Sequence, residues 1–118
     1  MTSPINPIEA VIQRQLEAYN AHDVEALADT YAEEAQQFEH PNTLIATGRA
    51  KISTRFAARF AEHKPHATLI NRIVAGNFVI DHEMIERNFP AGRRSIELVA
   101  MYEVVDGRIA KAWFRFGA

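Results

Sequence analysis

Three consecutive polar residues, Asp81, His82 and Glu83, interrupt an apolar strand pattern that runs from Gly76 to Asn88, GNFVIDHEMIERN. Side chains alternate across a strand, so Asp81 and Glu83 share one face with apolar neighbours while His82 lies on the other face. Two carboxylates about 7 Å apart on one strand face raise each other's pKa when they are shielded from water. The sequence therefore indicates either a site of acid/base chemistry or an edge strand in solvent.

Length and charge limit the possible classes of protein. The 118 residues are enough for one domain with a hydrophobic core and too few for two. We therefore expect a single domain over residues 1–118, with a flexible N-terminus at residues 1–6. The net charge of -2, with acids and bases interspersed, does not favour nucleic acid or an anionic membrane as a partner. The chain has no cysteine and no apolar run approaching the ~20 residues that span a bilayer, so we expect a cytoplasmic protein.

Helical periodicity dominates the first third of the chain. The first helix is predicted to begin after Asn6, a good N-cap before proline, and its apolar stripe also carries Gln15 and Tyr19. Asp23 can cap a second short helix, VEALADTYAEE, whose apolar positions include Tyr31. The sequence thus predicts two helices joined by very few residues.

A strand and a third helix follow. The segment AQQFEHPNTLIATG predicts a short strand through Phe38 that ends at His40, because the next residue is a proline without an amide hydrogen. The segment GRAKISTRFAARFAEH predicts a helix with Phe56 and Phe60 on its apolar stripe and Arg55 beside them. His40 is therefore expected at the mouth of a strand.

From His66 onward the apolar period changes to two, which predicts an antiparallel meander with a hairpin at Asp106 and Gly107. Helices first and strands afterwards argue for an α+β fold with the helices on one face of the sheet. The last strands are apolar at nearly every position, so the other face must also be covered. We expect a homodimer through that sheet face, on the side of the last strand that carries Trp113.

Four stretches carry a family resemblance: AVIQRQLEAYNAHD, TYAEEAQQFEHP, ATGRAKI and EVVDGRIAKAWF. In their order along nearly the whole chain they resemble the nuclear transport factor two-like superfamily, in particular its SnoaL-like and ketosteroid-isomerase-like branch. The resemblance implies a cone-shaped α+β fold, in which a curved mixed or antiparallel sheet wraps around three helices, with a pocket between them and usually a homodimer. It does not imply one reaction, because members include isomerases, cyclases, epoxide hydrolases and proteins that only bind or assemble.

The residues that serve the steroid isomerases are mostly absent. The oxyanion tyrosine of that pattern falls on Gln15, the aspartate base falls on His40, and the protonated aspartate of the oxyanion hole falls near Met101. The sequence therefore argues against an authentic steroid isomerase. The resemblance places His40 where the family has a base, and it turns the face with Asp81 and Glu83 toward the pocket.

His40 is the predicted general base, since an imidazole pKa of ~6.5 suits proton transfer near neutrality. The alternative is a surface histidine in a turn. Asp81 and Glu83 are predicted to be a pair of pocket carboxylates, one ionised and one protonated, that orient His40 or a catalytic water. The alternative is that arginines neutralise both acids as a structural ion-pair network. The arginines that could do so are Arg55, Arg59 and Arg72.

The other predicted pocket residues are amide, hydroxyl, cationic and aromatic side chains, all of which a core could also use. Gln15 or Tyr19 would stabilise negative charge on a ligand oxygen. The predicted ligand-binding residues are Gln15, Tyr19, Tyr31, Phe38, Arg55, Phe56, Phe60, Met101 and Phe114. We predict neither a metal nor a cofactor, because adjacent strand residues diverge and His82 cannot join Asp81 and Glu83 at one ion.

Two functions are compatible with these residues. The first is an enzyme that isomerises, cyclises or hydrolyses a small apolar carbonyl or epoxide compound by acid/base catalysis without a cofactor. The second is a non-catalytic ligand-binding or assembly module. An open pocket of several hundred Å³ reached by His40 and Asp81 would favour the enzyme. A pocket filled by Arg55, Phe56 and Phe60 would favour the module.

Overall fold

The structure, a computed structural model, describes residues 6–117. The helices are α1 (Pro7–Asn20), α2 (Val24–Asp29) and α3 (Arg49–His63). The strands are β1 (Tyr31–Glu39), β2 (Thr43–Thr47), β3 (His66–Ala75), β4 (Phe78–Phe89), β5 (Gly92–Val105) and β6 (Arg108–Phe116). Apart from Asn6, the predicted flexible N-terminus lies outside the described residues. Within residues 6–117, no helix is long and apolar enough to cross a membrane.

The first helix starts where the sequence predicts. The Asn6 side chain accepts hydrogen bonds from the backbone amides of Ile8 and Glu9, at 2.8 and 3.4 Å. Asp23 caps α2 in the same way, with its carboxylate 3.0 Å from the amide of Ala26. These bonds satisfy amides that have no partner within their helices.

The prediction for the second helix is too long, because α2 ends at Asp29 and Tyr31 begins strand β1. The hydroxyl of Thr30 donates to the carbonyl of Leu27 at 2.7 Å, which closes the last helical turn. The carbonyl of Thr30 then accepts from the amide of Ile109 on β6 at 2.8 Å. Pairing with a strand almost 80 residues away therefore overrides the local helical tendency of YAEE.

The six strands form one curled, unclosed mixed sheet in the order β2-β1-β6-β5-β4-β3. Only β1 and β6 pair in parallel, and the meander from β3 to β6 is antiparallel, as predicted. The hairpin between β5 and β6 turns at Asp106 and Gly107, whose φ angles are 52° and 77°. Two positive φ angles in a two-residue turn match the twist of antiparallel strands.

The helices pack on one face of the sheet, called here the inner face. Ile12, Leu27 and Ile52 of the three helices meet Val79 and Ile109 of the sheet in the core, and all five are completely buried. The α+β prediction, with helices on one side of a curved sheet, is confirmed.

The opposite, outer face carries aromatic side chains and no helix of the described residues. Trp113 stacks between Phe38 and Phe78, with ring centroids 5.7 and 5.8 Å away. Ile73, on β3, is 53% exposed. This is the face for which the sequence predicts a homodimer, and that assembly stays a prediction.

Candidate functional site

A cavity opens between α1, α3 and the inner face of β4, β5 and β6. It encloses about 530 Å³ between its lining atoms, including the open mouth. Its apolar walls are formed by Leu16, Phe56, Ile85, Leu98, Phe114 and Phe116. Its polar lining consists of Gln15, Tyr19, Glu83 and Tyr102, together with the arginines Arg55, Arg59 and Arg87. A molecule in this space would contact one acid, two tyrosines and three guanidinium groups besides the apolar walls.

Strand β4 places the polar triplet as the alternation predicts. Asp81 and Glu83 point to the inner face and are 0% and 4% exposed. His82 points to the outer face, where its Nε2 lies 2.6 Å from the carboxylate of Glu97. The two acids are therefore separated from the histidine by the sheet itself.

Asp81 is neutralised by Arg72, which lies directly opposite on β3. The guanidinium donates two hydrogen bonds to the Asp81 carboxylate, at 2.7 and 2.9 Å, in a bidentate arrangement. Arg72 also donates to Gln13 at 2.9 Å and lies 3.5 Å from the carboxylate of Glu9. These bonds to Asp81 raise the pKa of Arg72. Asp81 is thus part of a structural ion pair and does not line the cavity.

Glu83 does line the cavity, and among the described residues its carboxyl has no ion-pair or hydrogen-bond partner. Burial raises the pKa of Glu83 to about 7, and the negative charge of Asp81 adds to that increase, while the positive charge of Arg72 opposes it. Near neutral pH the carboxyl is therefore divided between its protonated and ionised forms. A group in this state can both take up and release a proton.

Two tyrosines and an amide surround this end of the cavity. The hydroxyl of Tyr102 lies 3.5 Å from the side-chain oxygen of Gln15, a long contact between two buried groups. Burial raises the pKa of both Tyr102 and Tyr19, so their hydroxyls stay protonated at neutral pH. They can therefore donate hydrogen bonds to a ligand oxygen.

The cavity brings together five of the predicted site residues beside Glu83: Gln15, Tyr19, Arg55, Phe56 and Phe114. Phe60 packs in the core beside Tyr19, with ring centroids 5.4 Å apart, and does not reach the cavity lining. Tyr31 is fully buried on β1, where its hydroxyl accepts from Gln37 at 3.2 Å. Tyr31 and Phe60 therefore support the walls from behind.

His40 lies outside this site. It is exposed in the turn after β1, and its backbone amide donates to the carbonyl of Phe114 at 2.8 Å. The structure therefore places it as the surface histidine of the alternative interpretation, and we give it no role in the cavity.

Phe38 and Met101 point to the outer face and cannot line the cavity. The residue of β1 that faces inward is Gln37, which is completely buried, and a bulge follows it. On β5, the inward positions next to Met101 are Ala100 and Tyr102. Alternation along each strand then places Phe38 and Met101 on the opposite side.

The sequence analysis missed Arg87 and Leu98 as cavity residues. Arg87 had a signal, because it follows Glu83 by four residues and therefore shares the inner face of β4. Leu98 lies directly opposite Glu83 on β5, which only the strand register reveals. Between residues 6 and 117, no three histidine, aspartate or glutamate side chains lie close enough together to hold a metal ion.

Three helices set against one face of a curled mixed sheet, with a cavity between them, define an α+β cone of the cystatin-like and nuclear transport factor two-like class. The chain belongs to the SnoaL-like domain family, whose pattern matches residues 12–112. The predicted SnoaL-like relationship is therefore confirmed. A comparison with functionally curated proteins gives no significant match.

Solved structures of similar shape agree with this family. An uncharacterised cystatin-fold protein from Novosphingobium aromaticivorans superposes with a TM-score of 0.84 at 20% identity, covering 94% of this chain and 98% of that one. An LEH-like epoxide hydrolase from M. tuberculosis has a TM-score of 0.83 at 14% identity, covering 94% and 83%. A hypothetical protein with a ketosteroid isomerase-like fold from Catenulispora acidiphila has a TM-score of 0.78 at 17% identity, covering 96% and 85%. At these identities the similarity establishes the fold alone.

Proposed function

We propose that this protein is a cofactor-independent acid/base enzyme that acts on a small carbonyl or epoxide compound in the cavity, with Glu83 moving the proton. The observation that carries the proposal is the Glu83 carboxyl itself. It is buried, it has no partner among the described residues, and its pKa is raised to about 7. A general base works best when its pKa lies near the working pH.

The neighbouring groups have separate roles in this proposal. Asp81, held ionised by Arg72, supplies a fixed negative charge that helps keep the pKa of Glu83 high. Ionised Glu83 takes a proton from a carbon beside a carbonyl, or from a water that attacks an epoxide. Tyr102 or Tyr19 donates a hydrogen bond to the oxygen that gains negative charge. Protonated Glu83 then returns the proton and is restored.

This mechanism differs from the sequence hypothesis in its base. The sequence favours His40, with the acids in a supporting role, whereas the position of His40 on the surface leaves Glu83 as the titratable group within reach of a ligand. Isomerase, cyclase and hydrolase reactions all remain within the proposal, because each needs a proton moved at one carbon or oxygen.

Ligand binding without turnover is the second candidate function. It is favoured by the position of Arg55 and Phe56, which lie in the cavity wall and narrow the space available to a ligand. It is also favoured by the use of Asp81 in a structural ion pair. In this case Glu83 would serve recognition and not chemistry.

Turnover of a panel of small carbonyl and epoxide compounds, followed by chromatography, tests the proposal. General acid–base catalysis contributes about 10²- to 10⁴-fold, so Glu83→Gln should reduce kcat by at least about 10² while it leaves KM within a few-fold. His40→Ala is the matched control and should retain wild-type kcat. Turnover that survives Glu83→Gln would refute the assignment, and compounds that bind without any turnover would favour the binding module.

We also propose that two copies of the chain pair through the outer face. The stacked rings of Phe38, Phe78 and Trp113, with exposed Ile73 beside them, form an apolar surface that no helix of residues 6–117 covers. Trp113→Glu should then yield a monomer in light scattering, whereas Lys51→Glu, on the exposed side of α3, should leave the mass unchanged. A wild-type monomer at all concentrations would rule this assembly out.

A further inference from the structure

Three arginines line the cavity in addition to Glu83, and they lie close together. Arg55 and Arg59 are one turn apart on α3, which places their side chains about 6 Å apart at Cβ. Arg87 reaches the same region from β4. Burial lowers the pKa of Arg55 and of Arg87, and the positive charge of Arg59 lowers both further. The fold thus concentrates three positive charges at one part of the cavity, called here the arginine cluster.

None of the three has a carboxylate partner among the residues from 6 to 117. Arg55 donates to the neutral side chain of Gln37 at 2.9 Å. Arg87 is only 9% exposed, and its Nε is buried without any hydrogen-bond acceptor. A buried cation without an anion is costly, so such a group normally has a partner.

Arg72 shows how the same sheet neutralises an arginine that serves structure alone, because Asp81 binds it through two hydrogen bonds. The chain has 15 acidic residues against 13 lysines and arginines, so an acid could have been used for the arginine cluster as well. The missing negative charge is therefore a property of this site and not of the overall composition.

The arginine cluster lies at a different end of the cavity from the Glu83 carboxyl. Arg87 is four residues beyond Glu83 on β4, about 13 Å away at Cα, with Ile85 between them. The charges that act on the pKa of Glu83 are those of Asp81 and Arg72. Tyr19 lies between the two ends, since its pKa responds to Arg87 and Arg59 as well as to Glu83.

Aromatic rings orient two of the guanidinium groups. Arg87 lies over the ring of Phe116 at 5.1 Å, and Arg55 lies about 6 Å from the rings of Phe56 and Phe114. A guanidinium packed on a ring by its face keeps its N–H edge available, and that edge matches a planar carboxylate.

We propose that the arginine cluster binds the carboxylate of the ligand, so that the molecules this cavity accepts are small organic acids with an apolar body. The anion site stands on the geometry of the cluster alone. Its identification as part of a substrate site depends on the proposed function. In that case the substrate is a carboxylic acid whose reacting carbonyl or epoxide lies toward Glu83, several bonds from the carboxylate.

Three probes of similar size test the inference by calorimetry on the full chain: phenylacetate, phenylacetamide and phenyl phosphate. Hydrogen bonds to charged groups are worth at least about tenfold in affinity. Phenylacetate should therefore bind at least tenfold tighter than phenylacetamide. Equal affinities, no saturable binding of phenylacetate, or tighter binding of phenyl phosphate would each overturn the carboxylate assignment.

Arginine variants locate the site. Arg87→Met should weaken phenylacetate at least tenfold and leave phenylacetamide unchanged, and the melting temperature should not fall, because no internal partner is lost. Arg14→Met, at an exposed position on α1, is the matched control and should bind like the wild type. Unchanged phenylacetate affinity in Arg87→Met would overturn the inference.

Glu83→Gln separates this inference from the proposed function. It should keep full affinity for phenylacetate, because the carboxylate binds at the other end of the cavity. Carboxylate binding without turnover of any compound would support the anion site and refute the enzyme. Turnover of neutral and acidic compounds at equal kcat/KM, unaffected by Arg87→Met, would support the enzyme and refute the anion site.

Discussion

The raised pKa of Glu83 leads to a prediction about stability that needs no knowledge of a ligand. In the folded protein the carboxyl titrates at about 7, whereas its ordinary pKa is 4.5. Between these pH values the folded chain holds a proton at Glu83 that the unfolded chain has released. The free energy of unfolding therefore falls as the pH rises from about 4.5 to about 7.

The size of this effect follows from the two pKa values. They differ by roughly two and a half pH units, and each unit corresponds to about 1.4 kcal/mol. Glu83 alone should thus remove about 3 kcal/mol from the stability of the protein between pH 4.5 and pH 7 and beyond. This is a large fraction of the 5 to 15 kcal/mol that is typical of a folded domain, at about one fifth or more.

The substitution that isolates this effect is Glu83→Gln, which keeps the shape of the side chain and removes its ionisation. Urea unfolding at fixed protein concentration, followed by circular dichroism in steps from pH 4 to pH 8, gives the free energies. Relative to the wild type, the variant should gain about 3 kcal/mol across this range, with the midpoint of the change between the two pKa values.

Glu34→Gln is the matched control, because Glu34 is an exposed glutamate on β1. Its stability curve should run parallel to that of the wild type. If the Glu83→Gln curve also runs parallel to the wild type, the carboxyl titrates near its ordinary pKa, and both the electrostatic reasoning and the case for Glu83 as a proton carrier fail.

Two further substitutions test the framework around the site. Asp81→Asn should destabilise the protein by about 3 to 5 kcal/mol in urea unfolding, because it leaves the buried Arg72 without its carboxylate; a loss below about 1 kcal/mol would contradict the structural role of this ion pair. Gly107→Ala should lower the stability by about 1 kcal/mol, since φ is +77° there and its Cβ would meet no other atom within 4 Å; an unchanged melting temperature would show that the hairpin tolerates the strain.

Much of the fold is predictable from local patterns. The helical stripe placed Gln15 and Tyr19 on the buried side of α1, and strand alternation placed Asp81 and Glu83 inside and His82 outside. These features depend on residues within a few positions of each other, where the period of the apolar pattern contains the required information.

The length and phase of β1 were not predictable in this way. Tyr31 belongs to a strand because β6 supplies its partner, and a bulge after Gln37 then turns Phe38 outward. No property of the local segment YAEEAQQF specifies that partner. The same gap in local information explains why His40 and Phe38 appeared to be site residues.

The sequence by itself determined an α+β cone and two inward carboxylates on β4. Only the tertiary structure decided that the two acids differ. The register of β3 and β4 shifts by one residue between Leu69 and Asn71, and this shift brings Arg72 opposite Asp81 on the same face. Asp81 is thereby neutralised, and Glu83 stays alone in the cavity with a raised pKa. One extra residue in a neighbouring strand, set by contacts that local periodicity does not encode, separates the structural acid from the titratable one.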